Sequence, residues 1–109
     1  MKIYFIKDNS CGDGEIGKHI MVEILKDLAS LAKEGEAFIF VNEGVNFVTK
    51  VEFEELIKLL QEASDRGVGV YVCDYSLKEL GLSEFVKVGC VVSIDETAVL
   101  LNKGVVVTI

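Results

Sequence analysis

The chain has 109 residues, 50% of them hydrophobic, with 18 acidic and 11 basic side chains and a formal net charge of -7. That is one domain with room for a core burying roughly two-thirds of the unfolded surface, and too apolar to stay disordered. The acidic balance, with no Lys/Arg cluster, removes the electrostatic drive toward nucleic acid and toward anionic lipid, so neither is expected as a partner.

The chain opens with Ile3 to Ile6, an apolar run between lysines, rich in β-formers and too short for a helix or a signal segment. It reads as a buried strand. No apolar run approaches the ~20 residues of a membrane span, and the chain is expected in the cytoplasm with reduced thiols. Ile16, Ile20, Ile24, Leu28 and Leu31 then follow the three-to-four spacing of an apolar helix face, which Gly35 ends. Ala37 to Val41 repeats the strand signature. Thr49 with Glu52 has the form of a capping box, opening a helix whose face is Phe53, Leu56, Ile57, Leu60 and Ala63 and whose end is Arg66-Gly67. Val68 to Cys73 is a third strand. Ser76 with Glu79 suggests a second box ahead of a short helix stopped by Gly81, and Val86 to Val92 is a weaker strand. Ser93 with Glu96 suggests a third box, on a helix ending near Gly104, and Val105 to Ile109 is the last strand.

Strands and helices therefore alternate through a single domain, residues 1–109. The expected class is α/β, a three-layer α/β/α arrangement with a mostly parallel sheet of about five strands. In such sheets ligands bind beyond the carboxyl ends of the strands. Function should then lie in Asp8 to Glu15, Asn42 to Lys50, Asp74-Tyr75 and the stretch around Cys90.

The first of these loops contains Gly12-Asp13-Gly14-Glu15-Ile16-Gly17, a formal GxGxxG between strand and helix. Five residues separate it from the strand end, and Asp13 and Glu15 would oppose a pyrophosphate at the helix terminus. A glycine-rich turn is the plainer reading, and a nucleotide or anion site the weaker one. Cys73 ends the third strand at the ligand-binding edge, just before a helix, where backbone N–H groups and a positive helix end favour thiolate. It is equally readable as a core cysteine completing Val70 and Val72. Cys11 would face Cys73 if their strands are neighbours, giving a relay or redox pair. Cys90, near the end of the weak fourth strand, reads as an inert core thiol. The 3 cysteines contain no CxxC, so neither a disulfide framework nor a metal site with His19 is the expectation. His19 itself reads as a helix residue. The acids Glu52, Glu54, Glu55 and Glu62 read as a solvated face, and no GxSxG elbow occurs.

The arrangement resembles the DsrE/DsrF-like proteins of sulfur relay, and within them the C-terminal domain of YedF-type, sulfurtransferase-like selenium-metabolism proteins. The likeness covers nearly the whole chain. It is carried by the glycine-rich loop with Ile16-Gly17, by Phe40-Val41-Asn42-Glu43-Gly44-Val45, by Gly67 to Leu77 with Cys73-Asp74-Tyr75-Ser76, and by Val88-Gly89. The Asn-x-Gly-Val element is the most specific of these. Where YedF-type domains have Cys-Gly-Thr-Cys-Leu, only the first cysteine, Cys73, is present, and Ser76 stands at the second. The Asn-Met-Tyr element usual after Val-Gly is replaced by Ser93-Ile94-Asp95.

The resemblance implies a persulfide carried on Cys73, with N–H groups around Asp74 to Leu77 stabilising the anion. Asn42 and Gly44 would shape a neighbouring pocket, with Cys11, Gly12, Gly14, Asp74 and Ser76 around it. It implies a homo-oligomer of two to six subunits, with a sulfur-donor or acceptor protein as partner, and no metal or organic cofactor is expected from the residues. The missing second cysteine motivates the competing reading, a non-catalytic binding or assembly module with a structural Cys73.

Overall fold

A computed structural model describes residues 1–109. Five strands, β1 (Lys2–Ile6), β2 (Ala37–Phe40), β3 (Gly69–Cys73), β4 (Cys90–Val92) and β5 (Val105–Thr108), form one sheet in the order β4-β3-β2-β1-β5. Every pairing is parallel. The helices are α1 (Gly14–Leu31), α2 (Glu54–Asp65), α3 (Asp74–Glu79) and α4 (Ile94–Leu101). They lie on both faces, as the alternation of elements requires.

The connections explain this division. From β1 through β4 the chain steps repeatedly in one direction, and right-handed crossovers then place the intervening helices on a single face. Passing from β4 to β5 reverses direction across the whole sheet. That puts α4 on the other face, alone.

The first face holds the main core. Tyr4, Ile6, Phe38, Phe40, Val70 and Val72 of the sheet pack with Met21, Leu25 and Ala29 of α1, Leu56, Leu60 and Ala63 of α2, and Leu77 of α3. Burying Phe38 and Phe40 completely contributes on the order of 2–3 kcal/mol each. The side chains of α1 that do this differ from the expected stripe. Gly17, Met21, Leu25 and Ala29 are buried, whereas Ile16, Ile20, Ile24 and Leu31 are exposed. Both rows are apolar, and the inner one carries the small residues that let the helix lie close to its neighbours. Arg66, just beyond α2, locks the packing by donating from Nη2 to the carbonyls of Ala29 and Ala32 at 2.9 and 3.0 Å. It thereby satisfies carbonyls at the carboxyl end of α1 that have no helical partner.

Two of the expected capping boxes are not formed. Thr49 Oγ1 donates to the Val45 carbonyl at 3.0 Å, and α2 begins only at Glu54 after a short 3-10 turn. Ser76 lies inside α3 rather than at its start, and its hydroxyl is taken by another segment. The box at Ser93 is formed, with Glu96 N–H donating to Ser93 Oγ and Ser93 N–H to Glu96 Oε1.

The second face is thinly covered. Thr97 is the single buried residue of α4, and a crevice of about 320 Å3 opens between that helix, Tyr71 and Val92. β5 is an edge strand with all four residues exposed.

Candidate functional site

The carboxyl ends of β1, β2 and β3 are tied together by the segment that follows β2. After β2 the chain turns at Asn42, whose φ of 51° is left-handed, a conformation that asparagine tolerates better than most side chains. It then enters a 3-10 helix, Asn42–Val48, where the sequence alone suggests a loop. Gly44 rests directly on the Ile6 carbonyl, leaving no space for a side chain. The N–H of Val41 donates to that same carbonyl at 3.0 Å. Asn42 N–H donates to Ser76 Oγ at 2.8 Å, so the segment following β2 is bound to α3.

Cys73 is the last residue of β3 and immediately precedes α3. It is 4% exposed. Val70 and Val72 belong to the main core and Cys73 does not, so by strand alternation its side chain faces the α4 side of the sheet. It pairs in register with Val92. Two openings flank this pair. One is the crevice reaching Tyr71 and Val92, and the other is a groove of about 220 Å3 lined by Asp74, Tyr75, Lys78, Ser93, Ile94 and Asp95. Cys73 lines neither. Asp74 is held by Lys78 Nζ at 2.9 Å, one helical turn away.

Cys11 is elsewhere. β2 separates β1 from β3, which puts the strands leading to Cys11 and Cys73 roughly 10 Å apart, and the condition for the two thiols to face each other is not met. Cys11 is exposed and its Sγ lies 3.3 Å from Met21 Sδ. Its N–H donates to the Gly17 carbonyl, and Ser10 Oγ donates to the Gly12 carbonyl. The glycine-rich segment therefore curls upon itself, with Gly12 and Gly14 at positive φ to make the bend. The plain reading of this segment, a tight strand-to-helix turn, accounts for its glycines.

Cys90 departs from expectation. β4 begins at Cys90, not at Val86, and the thiol is exposed rather than in the core. Residues 86–89 are drawn off the sheet edge, where Lys87 N–H donates to the Val48 carbonyl and Val88 joins the main core. No group of three or more His, Cys, Asp or Glu side chains is placed to hold a metal ion.

A cleft of about 420 Å3 lies at the carboxyl ends of β1 and β2 and contains no cysteine. Lys18, His19 and Val22 of α1 face Glu43, Asn46, Lys50, Glu52 and Phe53 across it. The sequence marks His19 as a helix residue, Glu52 as part of a capping box and an acidic face, and Phe53 as a helix-face residue, but it does not join the two walls, which lie far apart in the chain. The one available signal is the Asn-x-Gly-Val element, which places Glu43 and Asn46 at this edge.

A family model described as the DsrE/DsrF-like family matches residues 2–108. No curated protein matches the sequence. Among solved structures, the YchN protein from E. coli superposes with a TM-score of 0.70 at 14% identity, covering 100% of this chain and 99% of that one. The protein of unknown function MTH1491 from Methanobacterium thermoautotrophicum gives 0.67 at 18% identity, covering 99% and 97%. At such identities the structural likeness establishes the fold. No helix is long and apolar enough to cross a membrane.

Proposed function

The chain belongs to the DsrE/DsrF-like family, and from that premise we propose that it is a sulfur-relay protein in which Cys73 carries sulfur as a persulfide. The observation that supports this is the position of Cys73 at the carboxyl end of β3, between two openings and on the sheet face that carries only α4, a helix that buries a single residue. The thinly covered face can open toward the thiol without disturbing the main core, which lies on the opposite face.

The chemistry is a sulfur transfer without net oxidation. The Cys73 thiolate attacks the terminal sulfur of a donor persulfide, forming a new S–S bond as the donor's S–S bond breaks. The donor leaves as a thiolate and takes up the proton that Cys73 released. Asn42 and Gly44 act by holding the end of β2 against β1 and α3, so that the edge is rigid around the thiol. Mass spectrometry after incubation with a sulfane donor tests the reading.

The burial of Cys73 favours a second reading, a non-catalytic assembly module with a structural thiol. Both readings include self-association, and β5 is the edge that suits it. Val105, Val106 and Val107 are exposed and carry no charge, so two copies of an acidic chain can approach there without repulsion.

A further inference from the structure

We propose that the 420 Å3 cleft between the first turns of α1 and the segment following β2 binds a zwitterionic, peptide-like molecule of two or three residues. The inference does not depend on Cys73. Its place is the one where parallel α/β sheets bind ligands, beyond the carboxyl ends of adjacent strands, and its volume is within the ~300–1,000 Å3 usual for small-molecule sites. At ~30 Å3 per water it holds about fourteen water volumes, the bulk of a short peptide rather than of one amino acid.

Asn46 carries the argument furthest. It is 7% exposed, yet it lines the cleft. Its Nδ2 donates to the Glu43 carbonyl at 2.8 Å and to Glu43 Oε2 at 3.0 Å, two acceptors that fix which way the carboxamide points. Its Oδ1 accepts nothing from the protein, and it is not sealed from solvent. A buried carboxamide oriented by its neighbours and left with an open acceptor is a ready partner for an N–H donor.

The charges around it decide the ligand class. Lys18 and Lys50 stand among Glu15, Glu43 and Glu52, so a simple anion meets carboxylates and a simple cation meets ammonium groups. A molecule bearing both charges matches both. Lys50 and Glu52 take part in none of the ion pairs of the protein and are free to bind. The ligand ammonium is assigned to Asn46 Oδ1 and Glu52. Its carboxylate is assigned to Lys50 and Lys18, near an α1 terminus that Asp13 does not cap with its side chain. Val22 and Phe53 offer apolar surface for the stem between them.

Amide NMR of the full chain titrated with S-methylglutathione, a tripeptide without a reactive thiol, tests this. The expected result is perturbation confined to Asn9 and to residues 15–22 and 43–53, which line the cleft, with glutarate and 1,5-diaminopentane each producing much less. Lys50→Glu and Glu52→Lys, both at exposed positions whose folding the same spectra report, should each weaken binding about tenfold. No perturbation by the tripeptide, an equal response to either probe of one charge sign, or variants that bind as well as the parent would overturn the proposal.

Discussion

Asn42 N–H donates to Ser76 Oγ at 2.8 Å, joining the turn after β2 to the helix after β3 across 34 residues of sequence. Ser76 is the position where the resemblance leads one to expect a second cysteine, and here its hydroxyl is an acceptor that holds two strand ends together. Ser76→Ala removes that acceptor and should cost about 1 kcal/mol, a few degrees in Tm. Hydrogen exchange at the Asn42 amide should quicken accordingly. An unchanged rate at that amide would show that the bond does not form in solution.

Gly44 is expected to be the least replaceable residue of this edge. A Cβ there meets the Ile6 carbonyl, which is held at the end of an inner strand by the Val41 N–H. Gly44→Ala should therefore destabilise by about 2–3 kcal/mol in denaturant titration. Asn42→Gly, at a left-handed φ, should fall within about 0.5 kcal/mol of the parent, provided the Ser76 bond is kept.

The strands were legible because four short β-branched or aromatic runs stand between polar punctuation, and their limits differ from the observed ones by a residue or so. α1 was legible as a helix but not in its orientation. Two apolar rows, Ile16-Ile20-Ile24 and Met21-Leu25-Ala29, compete, and the choice falls to the row with small residues, which only the packed structure reveals. The boxes at Thr49 and Ser76 fail for a different reason. Thr49 bonds back to the Val45 carbonyl four residues earlier, a local competitor to capping, and Ser76 accepts from Asn42, a partner that only folding brings near. Ser93 has no such competitor, and its box forms. The cleft around Asn46 was illegible because its opposite wall comes from α1, and no spacing rule joins His19 to Lys50.

Lys26 bridges the two outer helices, lying 3.0 Å from Glu23 of α1 and 3.4 Å from Glu55 of α2. The hydrogen bond from Lys26 holds the Glu23 carboxyl below its ordinary value of 4.5. A carboxylate with a depressed folded value adds stability above its unfolded value, and that stability is lost as pH falls through the folded one. The bond from Glu23 raises Lys26 above 10.5, so its share is present below that pH and disappears as pH rises through the raised value. An NMR titration should place the Glu23 midpoint below 4.5, and Lys26→Met should return it to the ordinary range. A midpoint that ignores the substitution would rule out Lys26 as the cause.

Self-association through β5 predicts that a single charge on that edge abolishes it. Val106→Lys places an ammonium on a flat row of valines whose backbone groups are otherwise free to pair. Sedimentation should show the parent as an assembly and the variant as a folded monomer. A parent that sediments as a monomer, or a variant that assembles as before, would exclude β5 as the interface.

The central claim concerns Cys73, and site-resolved mass spectrometry after exposure to a sulfane donor tests it most directly. The parent, Cys11→Ser and Cys90→Ser proteins should each gain one sulfur on the peptide containing Cys73, and folded Cys73→Ser should gain none there and should not support transfer to an acceptor thiol. Sulfur found only on the exposed Cys11 or Cys90, with Cys73 unmodified in a folded protein, would contradict the account and leave Cys73 as a core thiol.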